Sequence, residues 1–244
     1  MTGQPMTIDS AHNGPPGSGH GGVVVGRLAE LVGPGPAEVR LLAPPPLETP
    51  LSARPADAQT PGFVVSSPEA DIARVTALDE DVSVDGFARL AASEVQGAAD
   101  QYLARVSGEG HAFPTCFGCG HKRGDEALRQ FTGVASDGDT LARFRVAGDG
   151  PLPDWLTIAG LDCPSGWTVF MVADPSPEAA VLASMQCQVH EPATAGVDYQ
   201  VRGRLLGTDG RKHFTEVAMI DPDGQSVAAA RTLWIEVDPA TFGA

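Results

Sequence analysis

The chain has 244 residues, 42% of them apolar, with 29 glycines, 21 prolines and a formal net charge of −15. That length suits one large domain or two small ones with a sizeable core. The acidic balance excludes the basic face of a nucleic-acid binder, and no apolar run approaches the ~20 residues of a membrane span.

No secretory-type apolar segment stands at the start. Cys116, Cys119, Cys163 and Cys187 are therefore expected as thiols in a cytoplasmic protein. Residues 1–11 read as a polar start. Residues 12–22 form a Gly/Pro-rich loop that runs into a helix expected over 20–32, where Val24, Leu28, Leu31 and Val32 make one apolar stripe. Gly33-Pro-Gly-Pro36 ends it. Short strands are expected at 39–43, 51–54, 62–66 and 71–78. Residues 85–107 carry Phe87, Leu90, Val95, Tyr102 and Val106 at helical spacing, which predicts one long amphipathic connecting helix.

Beyond residue 126 the strand signal strengthens. Asp137-Gly138, Asp209-Gly210 and Asp223-Gly224 read as hairpin turns. They sit among strands expected at 128–135, 140–146, 180–190, 198–207, 212–220 and 226–237. Residues 155–173 predict a second buried helix. Each half thus holds a Gly/Ser-containing turn, an apolar helix, a Gly/Pro stop and a run of antiparallel strands. This is an architectural repeat of low identity. It divides the chain into an N-terminal half (1–84), a connecting helix (85–110) and a C-terminal half (111–244). A sheet wrapped around a central helix explains why both helices carry few charges.

The Gly-His20-Gly-Gly helix start, the segment Phe113-Pro-Thr-Cys-Phe-Gly-Cys-Gly120 and the closing Ala230-Arg-Thr-Leu-Trp-Ile235 resemble the hotdog superfamily of acyl-CoA thioesterases and dehydratases. The resemblance implies an α+β double hotdog, in which antiparallel sheets each wrap a central helix and one chain mimics the usual dimer. It implies an acyl-CoA or acyl-carrier-protein substrate and allows a homodimer of such chains. The implied reaction is thioester hydrolysis. A non-catalytic acyl-CoA-binding protein and an enoyl-thioester hydratase or dehydratase are the alternatives. No cofactor follows from it.

The candidate site residues follow from this. His20 positions substrate or water, and the Gly21 and Gly22 amides at the positive helix end polarise the thioester carbonyl. The family places an acid nine positions after the histidine. Here that position is Ala29, so the base is sought in Glu30 or, from the other half, in Asp162. Ser165 is a hydrogen-bond donor to substrate, although Asp162 and Ser165 equally read as helix caps. Asn13 is a contact to the thioester or a turn residue. Lys122-Arg123 and Arg211-Lys212 are candidate phosphate contacts. Cys116-x-x-Cys119, with His111 and His121 nearby, is half of a zinc pattern, but the sequence holds no second pair and no metal is assigned. Cys163 as nucleophile lacks a histidine close in sequence.

Overall fold

The computed structural model describes residues 6–57, 61–108 and 110–242. Helix α1 spans Gly21–Ala29, passes into a 3-10 turn over Glu30–Val32 and stops at Gly33, whose φ of 87° suits glycine. Strands β1 (Ala37–Leu41), β2 (Ser52–Pro55), β3 (Phe63–Ser66) and β4 (Asp71–Ala77) follow. Helix α2 is Ala92–Gly108, β5 is Gly133–Val134 and β6 is Thr140–Phe144. Helix α3 is Asp154–Val172. The last four strands are β7 (Ala180–Val189), β8 (Tyr199–Asp209), β9 (Lys212–Ile220) and β10 (Ser226–Glu236). The three expected hairpin turns are present, with Gly138, Gly210 and Gly224 at positive φ.

The fold is α+β. All ten strands form one antiparallel sheet in the order β2-β3-β4-β1-β7-β10-β9-β8-β6-β5. The sheets of the two halves are continuous, because β1 pairs with both β4 and β7. Val39 stands opposite Val75 on one side and Met185 on the other. Helices α1 and α3 pack against each other, and α3 also packs on β7, β8 and β9. Val24, Leu28, Leu161 and Val169 from the two helices join Val39, Met185 and Met219 from the sheet in one core.

Three expectations change. The polar start is tied down from Met6 onward: Met6 bridges to Leu51 and the Ile8 side chain is buried. The connecting helix begins at Ala92, not at 85. Phe87 lies against the Arg202 and Arg204 guanidinium groups, 5.7 and 4.7 Å from its ring centre. The Leu90 N–H and C=O are taken by the Gln200 side-chain amide at 2.8 and 2.7 Å. Those apolar residues cover the sheet as irregular chain, so their spacing carried no helix. Finally, α3 matches the helix expected over 155–173, but the capping expected around Pro164 is absent because Pro164 lies in its interior. Asp162 and Ser165 therefore lie inside α3 and do not cap its start.

Candidate active site

His20 stands at the N-cap of α1, and its Nδ1 accepts the Val23 N–H at 3.3 Å. In the neutral ring the proton is therefore on Nε2. That nitrogen faces Cys163 Sγ at 3.2 Å and Asp162 Oδ2 at 3.3 Å. The first turn of α1 meets the middle of α3 at this point. A Cβ on Gly22 would come within 2.5 Å of Asp162 Cβ and 2.9 Å of Ala159 Cα. Glycine thus allows the helix start to touch α3, and the Gly22 N–H donates to Asp162 Oδ2 at 2.7 Å. Asp162 Oδ1 is buried and has no hydrogen-bond partner among the described residues.

The group opens on a cavity of about 270 Å³. His20, Gly21, Asp162 and Cys163 line one part of it, and Leu42, Phe113, Trp167, Phe170, Leu182 and Trp234 contribute apolar wall elsewhere. A carboxylate beside an apolar slot is the arrangement of a small-molecule site. Burial works most strongly against charge on His20, but the Asp162 carboxylate and Cys116 together outweigh it and hold the imidazole above its ordinary value. Burial likewise lifts Asp162 above the usual carboxylate range, opposed by His20 and the Gly22 amide.

Three thiols share this wall. Cys116 Sγ lies 3.6 Å from Cys163 Sγ, and Cys119 packs with both in one buried cluster. Hydrogen bonds from Cys119 and Cys163 outweigh burial and hold Cys116 well below the ordinary thiol value, while the two donors are held well above it. His111 Nδ1 accepts the Phe113 N–H at 2.8 Å, and its Nε2 points at Cys119 Sγ, 3.3 Å away. Burial lowers His111 to about 4, so the ring is neutral at pH 7.

The structure therefore brings together His20, Gly21, Gly22 and Asp162 from opposite halves. The Gly22 amide serves the Asp162 carboxylate, which leaves Gly21 as the helix-start glycine lining the cavity. Glu30 lies beyond the far end of α1, exposed and away from the cavity lining. The Asn13 carboxamide is held by Arg123 Nη1 at 2.9 Å and donates to Gly14 O at 3.1 Å. Arg123 also reaches Ala11 O and Glu126, which commits that guanidinium to holding loops. Ser165 Oγ donates to Asp162 O at 2.7 Å and accepts the Trp234 indole N–H at 3.0 Å. Arg211 stands in the β8–β9 turn and Lys212 opens β9. The convergence of Cys116, Cys119 and Cys163 was not readable from their spacing. The tight Cys-Phe-Gly-Cys-Gly segment was the one sequence signal pointing to it.

No protein-family model matches this chain, and no curated protein matches it. Solved structures do. A tesB protein from Mycobacterium avium subspecies paratuberculosis is 12% identical, with a TM-score of 0.59 over 97% of this chain and 92% of its own. A conserved protein of unknown function with a hotdog fold from Alicyclobacillus acidocaldarius is 11% identical, with a TM-score of 0.58 over 91% of this chain and 89% of its own. The dehydratase domain of a mycocerosic acid synthase-like polyketide synthase is 16% identical, with a TM-score of 0.54 over 90% of this chain and 82% of its own. The chain has the hotdog fold. Proteins of the thioesterase II type and dehydratase domains share it.

Proposed function

We propose that the chain is a hotdog hydrolase of acyl thioesters carried on coenzyme A or an acyl-carrier protein. It is a double hotdog in one chain, and the four buried thiols suit a cytoplasmic setting. One observation carries this reading. Asp162 lines an apolar cavity, its Oδ1 is buried without a partner among the described residues, and its Oδ2 is held by the Gly22 amide and His20. A carboxylate so oriented can take a proton from water. The water oxygen adds to the thioester carbonyl carbon, with the oxyanion facing the positive end of α1 at Gly21. Collapse breaks the C–S bond and returns the proton to the departing sulfur. Acyl thioester and water become carboxylic acid and thiol. His20 positions the carboxylate, and the apolar wall takes the acyl chain.

A panel of acyl-CoAs with a thiol-trapping dye tests the reading. Thiol release is expected for at least one chain length, and Asp162→Asn should lower kcat by about 10²–10⁴-fold, the usual contribution of a positioned base. Unchanged release in a folded Asp162→Asn variant removes the proposed base. Binding that raises Tm without release favours a carrier or sensor instead. The pairing of His20 from one half with Asp162 from the other also suits a hydratase. That activity would change enoyl absorbance with no thiol released.

A further inference from the structure

The sequence shows only half of a metal-binding pattern, and the fold supplies what is missing. Cys116 and Cys119 lie in a tight turn: the Gly120 N–H donates to Cys116 O at 2.8 Å, and a Cβ at Gly120 would strike the Cys116 backbone. Helix α3 delivers Cys163 to the same point. A Cβ at Gly118 would land on both Cys163 Sγ and the His20 imidazole, so glycine there lets the groups meet. The ligand atoms of His20, Cys116 and Cys163 lie within 4.8 Å of one another, and all three residues are buried.

We propose that Cys116, Cys119 and Cys163 bind a thiophilic divalent cation, zinc, through three sulfurs on the cavity wall. With metal–sulfur bonds of about 2.3 Å, the sulfurs of a tetrahedral site stand about 3.8 Å apart. The Cys116–Cys163 separation is 3.6 Å. A buried imidazole, His20, and a half-buried one, His111, support the cluster. The Nδ1 atoms of His20 and His111 both accept backbone N–H groups, which leaves each proton on Nε2, and each Nε2 faces a sulfur. The Trp167 side chain packs with the three thiols in one buried cluster. N–H donors directed at sulfur stabilise metal-bound thiolates and are weak partners for neutral thiols. His20 is close enough to ligate, but its protonated Nε2 makes it a donor to the cluster. The fourth position is left to a small ligand from the cavity. Binding forms three metal–sulfur bonds and releases the remaining thiol protons to water.

This inference stands apart from the hydrolase reading, because its readout is metal content. The full chain, purified under reducing conditions with zinc in the medium, should carry one zinc per chain. Chelator-stripped protein should retake zinc in competition with a chromophoric chelator. Loaded with cobalt(II) instead, it should show thiolate-to-cobalt charge-transfer absorption. His111→Ala removes one N–H donor and should weaken zinc by about 10–100-fold. Cys163→Ser and Cys116→Ser should each weaken it further, and Cys187→Ser, on β7 outside the cluster, should leave it unchanged. Substoichiometric zinc in reduced protein, or an unchanged titration in Cys163→Ser, overturns the assignment. If the serine variants fail to fold, the wild-type cobalt spectrum decides, and absence of the charge-transfer band refutes the site.

Discussion

Pro164 has no N–H to give to Gly160, four residues back in α3, and Gln130 supplies one instead. Its Nε2 donates to Gly160 O at 2.7 Å from a fully buried position. The proline is thus held in mid-helix beside Asp162 and Cys163 by a side chain from a distant loop. Gln130→Leu keeps the volume and removes the donor, which strands a buried carbonyl. We expect a loss of about 1–3 kcal/mol, read as a shift of the urea midpoint, and no loss would show that Pro164 needs no such partner. The candidates His20 and Asp162 stand out in the sequence, and their burial in one contact does not. Proline favours the first turn of helices, so Asp162 and Ser165 beside Pro164 read equally as caps, whereas they lie in mid-helix. Gln130 gave no local signal at all. Its role exists only once Gly160 is placed beside it.

At the scale of elements, the glycines of α1 do two jobs, and only one was visible in the sequence. The sequence assigns the Gly21 and Gly22 amides to a thioester carbonyl, but the one on Gly22 serves Asp162. Gly22 and Gly26, one turn apart, also lack the side chains that would separate α1 from α3. A Cβ on Gly26 would stand 2.6 Å from both Trp155 Cα and its carbonyl oxygen. That is backbone, which cannot turn aside. Alanine has the better helix propensity by about 1 kcal/mol, so the sign of a glycine-to-alanine change reports which effect wins. Gly26→Ala should destabilise by about 1–3 kcal/mol through overpacking. Gly97→Ala, in α2 with nothing within 4 Å of its Cβ position, should stabilise by about 0.5–1 kcal/mol. Paired denaturant melts check both, and two stabilised variants would mean that the helices are not in close contact. Periodicity found α1 and α3 because each buries apolar residues at regular spacing. It misread residues 85–91, where Phe87 and Leu90 cover β8 without any helix.

At the scale of the whole molecule, the repeat in the sequence does not give two independent bodies. Among the described residues, the N-terminal strands reach the C-terminal ones through β1 and β7, whose registers lock Ala37 to Cys187 and Arg40 to Ser184. The helices meet through glycine contacts, and the candidate site takes His20 from one half and Asp162 from the other. Hydrophobic alternation could predict strands in each half, but strand order depends on which edge finds a partner, and alternation says nothing about that. A fragment of residues 111–244 would expose the β7 edge and the α1-facing side of α3, both built for burial. We therefore expect the isolated fragment to show no cooperative thermal transition by circular dichroism. Mixing it with a fragment of residues 1–110 should restore one, because the missing surfaces are then supplied in trans. A cooperative transition in the C-terminal fragment alone, at the Tm of the intact chain, would show instead that the halves are separate domains. The site, which needs both, would then form by docking after folding, and not as part of the core.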